Sequence, residues 1–227
     1  MFLTTDNKMK WRLLGAGAAV TAALVLAGVF WFDAPVLLMM RELDCRFWRI
    51  LSAVFDDKVW AVAFVAAVLG FYIKKSLISK PKIRNDRNQL SVKAFVVDFW
   101  QKTRHSNVFL IFCSIFAAGL AVQVLKVVIG RARPILFEAL EFTGFYPPSF
   151  DWVFNSMPSG HTAISFAALV MIGMLAPRIK PLTWTLAVFV GVARVCVGAH
   201  WPTDVIFGAF IGMVSADLVK WWLMRIK

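Results

Sequence analysis

Long apolar runs dominate this sequence and restrict its fold to one that crosses a membrane. A helix needs about 17–25 apolar residues to span a bilayer, and the chain has six candidate runs, at residues 13–32, 59–73, 108–130, 161–176, 182–199 and 205–224. Hydrophobic residues make up 60% of the 227 positions and the mean hydropathy is +0.71, which is more apolar surface than one soluble core needs. We therefore predict an all-α, polytopic membrane protein: a single domain over residues 1–227 with six transmembrane helices in a bundle.

The distribution of positive charge predicts one orientation of these spans. The net charge is +12, and most of the cations lie before the first span, after the second, after the fourth and after the sixth. Because cytoplasmic loops carry an excess of Lys and Arg, both termini are predicted to be cytoplasmic. Orientation and attraction to anionic headgroups also explain the basic segment 74–104. Nucleic acid is not expected as a partner, since no nucleic-acid-binding motif accompanies the charge.

The first span could also be the apolar core of a signal peptide, because it follows Lys8, Lys10 and Arg12. Its apolar run is longer than such a core, and no clear small-residue cleavage site precedes Asp33. We expect a retained anchor. Asp33 is expected to be one of several carboxylates that offset the cations of the first outer segment.

The cysteines and the remaining polar positions indicate no cofactor. Cys45, Cys113 and Cys196 are scattered, without the spacing of a disulfide framework or a zinc site. No metal site is visible, so neither a metal nor another cofactor is expected. His105 lies in the basic segment and is expected to be polar surface.

Two polar segments have open interpretations. Residues 81–104 mix charged and aromatic side chains, which suits either a helix at the cytoplasmic interface or an ordinary connecting loop. Residues 135–157 are rich in Phe, Tyr and Trp, which suits either a headgroup-level anchor or the border of an entrance for acyl chains. Pro147-Pro148 excludes one continuous helix there.

Three short motifs place charge at the ends of apolar runs, where it is costly and therefore indicates function. The first is Lys126 with Arg133-Pro134. Arg meets phosphate oxygens as a rigid fork and Lys meets them as a point charge. Taken alone, this pair is better explained by side chains that snorkel to the membrane surface.

The second motif, Pro158-Ser159-Gly160-His161, immediately precedes the fourth span. Ser159 is typical of a helix N-cap, and Gly160 allows a ligand to approach the backbone closely. The free amides of a helix N-terminus favour an anion. A cap does not require His161, whose ring can donate a proton near neutral pH.

The third motif contains Arg194, His200 and Asp204. Pro202 suits the first turn of the sixth helix, which would bring Asp204 next to His200. A carboxylate that accepts from one imidazole nitrogen leaves the other free to attack. A cation such as Arg194 should face a polar cavity or a partner rather than lipid.

Together the motifs resemble the signature of the type 2 phosphatidic acid phosphatase family of integral membrane lipid phosphatases. That signature is Lys, six residues, Arg-Pro; Pro-Ser-Gly-His; and Ser-Arg, five residues, His, three residues, Asp. Ten of its fixed positions are matched in order within a core at residues 126–204. One position departs, because Ala193 stands where the family commonly has Ser. We take this as a change in affinity rather than a loss of activity.

The resemblance implies a role for each matched residue. His200 would be the nucleophile that forms a phosphohistidine, with Asp204 orienting it, and His161 would protonate the leaving group and later help to activate water. The remaining positions would bind the phosphoryl oxygens: Lys126, Arg133, Ser159, Gly160 and Arg194. Cations built into the chain would take the place of Mg²⁺.

The expected function is removal of phosphate from a membrane lipid phosphate or diphosphate on the non-cytoplasmic side of a bacterial inner membrane. Candidate substrates are phosphatidylglycerol phosphate, phosphatidic acid, undecaprenyl diphosphate and lipid A, and the sequence does not choose among them or indicate an oligomeric state. Two alternatives remain: a lipid phosphotransferase of the same family, and a non-enzymatic anionic lipid binder or transporter. A soluble vanadate-dependent peroxidase is disfavoured by the six apolar runs.

Overall fold

Helices form the regular structure of the residues that the structure describes, apart from two isolated β-bridges. The computed structural model describes residues 1–4, 6–56, 58–60, 62–63, 66, 70 and 106–225. The described helices are α1 (Trp11–Ala27), a π-helical turn (Gly28–Phe32), α2 (Asp33–Arg41), α3 (Arg46–Val54), α4 (Asn107–Ile129), α5 (Pro134–Leu140), α6 (Gly160–Leu175), α7 (Lys180–Cys196) and α8 (Pro202–Arg225).

The prediction of an all-helical membrane protein is confirmed. Among the described residues, the helices at Trp11–Arg41, Asn107–Ile129, Pro177–Cys196 and Pro202–Arg225 are long and apolar enough to span a bilayer. The fourth predicted span is the shorter apolar helix α6. Most of the second predicted span, the whole segment 81–104 and His105 lie outside the described residues, so the count of six stays a prediction.

The first span is longer than its apolar run suggests. The run ends at Phe32, but the helix continues through the π-helical turn into α2 and reaches Arg41. Asp33, expected as one of the carboxylates of the first outer segment, begins α2 and is buried. Asp33 can be buried because hydrogen-bond donors from distant parts of the chain pair its carboxylate inside the protein.

Helix α6 is short because protein, rather than lipid, surrounds it. Ten of its 16 residues are buried, and it packs against α4, α7 and α8. Its small and apolar residues join two core clusters, around Phe166 and Val170 on one side and around Ala163 and Ala167 on the other.

Four helix ends meet at one end of this bundle. Helix α4 ends there at Ile129, α6 begins there at Gly160, α7 ends there at Cys196 and α8 begins there at Pro202. Helix α8 has 24 residues and is therefore about 36 Å long at 1.5 Å per residue. At its far end, the Trp221 ring contacts the Trp11 ring with centroids 5.8 Å apart, which places the start of α1 opposite the four meeting ends.

Glycine allows the start of α8 to approach the segment before α6. A Cβ atom added at Gly208 would lie 2.6 Å from the backbone oxygen of Ser159. Because packed interiors have almost no room for added atoms, such a methyl group would push the two backbones apart.

We expect Gly208→Ala to destabilise the fold by about 1–3 kcal/mol, the usual cost of overpacking. Gly119→Ala in α4 is the matched control, because its new Cβ would meet no atom nearer than 3.8 Å and Ala is the better helix former. Thermal unfolding of both variants in detergent checks this. An unchanged midpoint for Gly208→Ala would contradict the close approach.

Candidate active site

The first motif lies at the end of α4 and in the turn that follows. Gly130 has a left-handed φ of 60° and donates from its amide to the Lys126 carbonyl at 2.9 Å. A side chain at Gly130 would also collide with the Tyr146 backbone, so glycine is required for this turn. The turn directs the chain across the end of the bundle towards Arg133.

The Lys126 amine lies beside the start of α6. A Cβ atom at Gly160 would be 3.7 Å from Lys126 Nζ. The first two motifs are therefore in contact range, as predicted. Since Gly160 has no side chain, this amine can lie close to the first amides of α6.

Arg133 is fixed by carbonyl groups. Its Nε donates to the Trp152 carbonyl at 3.0 Å, and its two Nη atoms donate to the carbonyls of Asn155 and Ala199 at 3.3 and 3.4 Å. The guanidinium also lies 4.4 Å from the centroid of the Trp152 ring. Carbonyl partners fix its orientation without cancelling its charge. Burial lowers the pKa of Arg133 and the charge of Asp204 opposes this shift, yet Arg remains cationic at neutral pH.

The second motif contacts the third through its backbone. The Ser159 amide donates to the Asp204 carbonyl at 3.0 Å. Ser159 does occupy the N-cap position of α6, as predicted. Within the described residues its hydroxyl accepts from Thr162 Oγ1 at 2.9 Å instead of capping a backbone amide.

His161 faces a carboxylate that sequence reasoning missed. Its Nε2 lies 2.8 Å from Asp56 Oδ2, and its side chain is 17% exposed. Asp56 follows α3 and looked like an ordinary outer-loop charge. A carboxylate at this distance holds the ring in place for proton transfer.

Arg194 lies in the last turn of α7 and is held by α3. Its Nη1 donates a short hydrogen bond to the Ser52 hydroxyl. Helix α3 and the short segment after it thus reach both Arg194 and His161. This helix lies outside the predicted spans, and nothing in its sequence pattern identified Ser52.

His200 and Asp204 adjoin each other in a buried environment. His200 Nδ1 lies 3.6 Å from Asp204 Oδ2, and the two side chains are 1% and 0% exposed. This distance exceeds that of a hydrogen bond, and among the described residues none bonds to His200 Nδ1. The predicted proximity is present but the predicted hydrogen bond is not. Such bonds often tighten only when substrate is bound.

Asp204 receives three other donors. Arg131 Nη1 donates to Oδ1 at 2.7 Å, and Ser156 Oγ and the Trp201 amide donate to Oδ2 at 2.5 and 3.0 Å. Sequence reasoning missed Arg131 and Ser156. The sequence did contain a signal for Arg131, because Arg131 is a charge at the end of a span and within the first motif. It contained no such signal for Ser156.

Burial determines the charge state of His200. Removal from water lowers the pKa of His200 to about 3, with some opposition from Asp204 and reinforcement from Arg194 and Arg133. The imidazole is therefore neutral at physiological pH, which is the form that can act as a nucleophile. Within the described residues, no three His, Cys, Asp or Glu side chains are placed to hold a metal ion.

The family follows from a comparison with known proteins. The sequence profile of the PAP2 superfamily matches residues 107–227, which is more than half of the chain and includes all three motifs. The chain belongs to the PAP2 superfamily. A lipid A 1-phosphatase from Rhizobium johnstonii is 28% identical to it over 220 residues, covering 91% of this chain and 85% of that protein.

Solved structures share the fold. The crystal structure of Aquifex aeolicus LpxE has a TM-score of 0.54 at 19% identity and covers 82% of this chain and 93% of that chain. The first transmembrane PAP2 type phosphatidylglycerolphosphate phosphatase from Bacillus subtilis has a TM-score of 0.60 at 18% identity and covers 94% and 97%. The predicted resemblance is confirmed, and this PAP2 chain is a membrane lipid phosphatase, a hydrolase of phosphoric esters.

We expect His200 to stay neutral in the folded protein from neutral pH down to about pH 5. A His105→Gln/His161→Gln variant leaves His200 as the sole histidine, so ¹⁵N-histidine NMR in detergent reports it directly. The unfolded chain binds a proton near the usual pKa of about 6.5, whereas the folded chain excludes it, so stability should fall as pH drops below about 6.5. A folded-state titration between about pH 6 and 7 would contradict this burial.

Proposed function

We propose that this PAP2 chain removes a phosphoryl group from a membrane lipid phosphate through a phosphohistidine at His200. The observation that carries this proposal is the buried, neutral His200 beside Asp204, at an end of the bundle where Lys126, Arg133 and Arg194 also converge. Binding an anionic lipid needs these cations. It does not need a neutral imidazole next to a carboxylate.

In the first step, the His200 nitrogen attacks phosphorus. Nδ1 faces Asp204, so the attacking atom is Nε2. A phosphorus–nitrogen bond forms, the bond between phosphorus and the leaving oxygen breaks, and that oxygen takes a proton from His161. In the second step, water attacks phosphorus and gives its proton to His161, and the phosphorus–nitrogen bond breaks to release inorganic phosphate and His200.

Fixed positive charge stabilises both steps. The transferring phosphoryl group carries its charge on three equatorial oxygens. Arg133, held by three carbonyl groups, can donate to those oxygens without reorganising. Lys126 lies beside the first amides of α6 at the same end of the bundle. The last turn of α7 carries Arg194 there. These groups supply the charge compensation that Mg²⁺ supplies elsewhere.

Among the candidate lipids, we propose lipid A as the first to test. The support is the Rhizobium lipid A 1-phosphatase, whose similarity extends over 91% of this chain rather than over the motifs alone. Phosphatidylglycerol phosphate, phosphatidic acid and undecaprenyl diphosphate are the competing substrates. If a lipid alcohol rather than water attacks the phosphohistidine, the same site acts as a phosphotransferase.

Purified protein should release phosphate from at least one of these four lipids in excess chelator. His200→Ala should lower this rate by about 10⁴-fold or more, since it removes the nucleophile, while His105→Ala, the matched change at the histidine outside the motifs, should leave it unchanged. Wild-type protein quenched during turnover should carry acid-labile phosphate, and His200→Ala should carry none.

Substantial turnover by His200→Ala would refute the covalent step. A requirement for added Mg²⁺ would refute the charge compensation by Lys126, Arg133 and Arg194. Phosphate that appears on a second lipid instead of in solution would identify the transferase.

We also propose that the site faces the periplasm of a bacterial inner membrane and that both termini are cytoplasmic. The positive-inside bias supports this orientation. Lys10 precedes α1 at the end of the bundle opposite the motifs, while Phe150 is 85% exposed on the segment that carries Trp152 over Arg133.

The orientation is tested in a background in which the native cysteines are replaced by Ala: Cys45, Cys113 and Cys196. Phe150→Cys should react with an impermeant thiol reagent in intact spheroplasts. Lys10→Cys should react only after lysis. The reverse labelling pattern would move the site, and its substrate pool, to the cytoplasmic leaflet.

A further inference from the structure

A buried carboxylate of the first span belongs to the same hydrogen-bonded cluster as the candidate nucleophile. Asp33 is 3% exposed. Its Oδ2 accepts from Arg131 Nη2 at 2.6 Å and from Thr203 Oγ1 at 2.5 Å, and its Oδ1 accepts from the Thr203 amide at 3.0 Å. Every contact is to a residue at least 98 positions away along the chain.

Arg131 bridges this carboxylate and Asp204. While Nη2 donates to Asp33, Nη1 donates to Asp204 Oδ1 and to Thr203 Oγ1, each at 2.7 Å. The guanidinium is 1% exposed and lies 5.2 Å from the centroid of the Trp201 ring. One buried cation therefore joins two buried carboxylates, of which the second adjoins His200.

The backbone of the first span is adapted to this contact. The π-helical turn Gly28–Phe32 immediately precedes Asp33, and such turns are often found at functional sites. A Cβ atom at Gly28 would overlap the Thr203 side chain. Glycine therefore permits the approach of the first span to the start of α8, and this approach delivers Asp33 to Arg131.

We propose that Asp33 and Arg131 are positioning residues that hold Asp204 against His200 and keep the cluster net negative. This inference rests on the proposed function. With Arg131 alone, Asp204 would belong to a neutral pair. With Asp33 included, two carboxylates share one guanidinium, and a net charge of −1 remains to face His200.

The net negative charge matters when His200 reacts. Attack on phosphorus leaves the imidazole with positive charge, which a facing carboxylate stabilises more than a neutralised pair does. Orientation matters as well, because Asp204 Oδ2 is 3.6 Å from His200 Nδ1 and its direction is fixed by Arg131, Ser156 and the Trp201 amide. Buried ion clusters of this kind contribute little net stability, so stability alone does not account for it.

Asp33→Asn removes the charge at constant size. We expect kcat to fall at least about tenfold, within the range of couplings measured inside one salt-bridge network, while KM changes less than about twofold because no substrate contact is lost. Asp33→Glu, which restores the charge, should recover part of kcat. Glu138→Gln is the matched control, since Glu138 also pairs with an arginine, Arg41, at 3.2 Å but is 42% exposed, and it should match wild type.

A double-mutant cycle separates positioning from a general structural role. If Asp33 acts through Asp204, then Asp33→Asn should change the single-turnover rate less than about twofold in an Asp204→Asn background. An equal loss in both backgrounds, or a wild-type kcat for Asp33→Asn, would overturn the inference. If Asp33→Asn does not accumulate as folded protein, Arg131→Lys is measured in the same double-mutant cycle with Asp204→Asn. A single ammonium cannot bridge two carboxylates as the guanidinium fork does.

The failure of this inference differs from a failure of the proposed function. If wild-type protein releases phosphate from none of the lipid phosphates, the proposed function is wrong. If wild type and Asp33→Asn turn over alike, the function stands and the positioning role of Asp33 and Arg131 does not.

Discussion

The buried carboxylate of Asp204 is the group on which the rest of the site depends. Asp204 lies in the first turn of α8. Its carboxylate accepts from Arg131, Ser156 and the Trp201 amide, and its backbone carbonyl accepts from the Ser159 amide. These donors come from the turn after α4, the segment before α6 and the start of α8. An unpaired carboxylate here would cost much free energy. The hydrogen bonds that pair the Asp204 carboxylate therefore fix three segments relative to one another, and they leave one side of this carboxylate facing His200.

Charge at this end of the bundle is divided between two sets of side chains. Carboxylates and Arg131 form an internal cluster, whereas the hydrogen bonds of Arg133 within the described residues go to neutral carbonyl groups, which leave its positive charge uncancelled. The first amides of α6 add partial positive charge beside Lys126. Arg133 is therefore suited to attract an anion, while His200 adjoins a cluster of two carboxylates and one guanidinium. Because the surroundings are apolar, each of these interactions is stronger than it would be in water.

Much of the fold and of the site could be predicted because both depend on local patterns. Apolar runs locate α4, α6, α7 and α8 to within a few residues, and motif spacing predicts that Lys126, Ser159 and Asp204 meet at one end. The contact between Asp33 and Arg131 could not be predicted, since the two residues lie 98 positions apart and meet through tertiary packing. The same holds for the contacts of Ser52 and Asp56 with the motif residues. The π-helical turn could not be predicted either, because nothing in an apolar run distinguishes a π-helical turn from an α-helix.

The two motif histidines lie in opposite environments, and this difference agrees with a division of labour. His200 is 1% exposed and its pKa is lowered to about 3 by burial, so it excludes both water and protons. His161 is 17% exposed and faces the partly exposed Asp56 at 2.8 Å, so it can exchange protons with solvent and with that carboxylate. Two histidines in such different surroundings are suited to separate roles. The neutral, dehydrated ring suits nucleophilic attack, and the ring near solvent suits proton transfer in both steps.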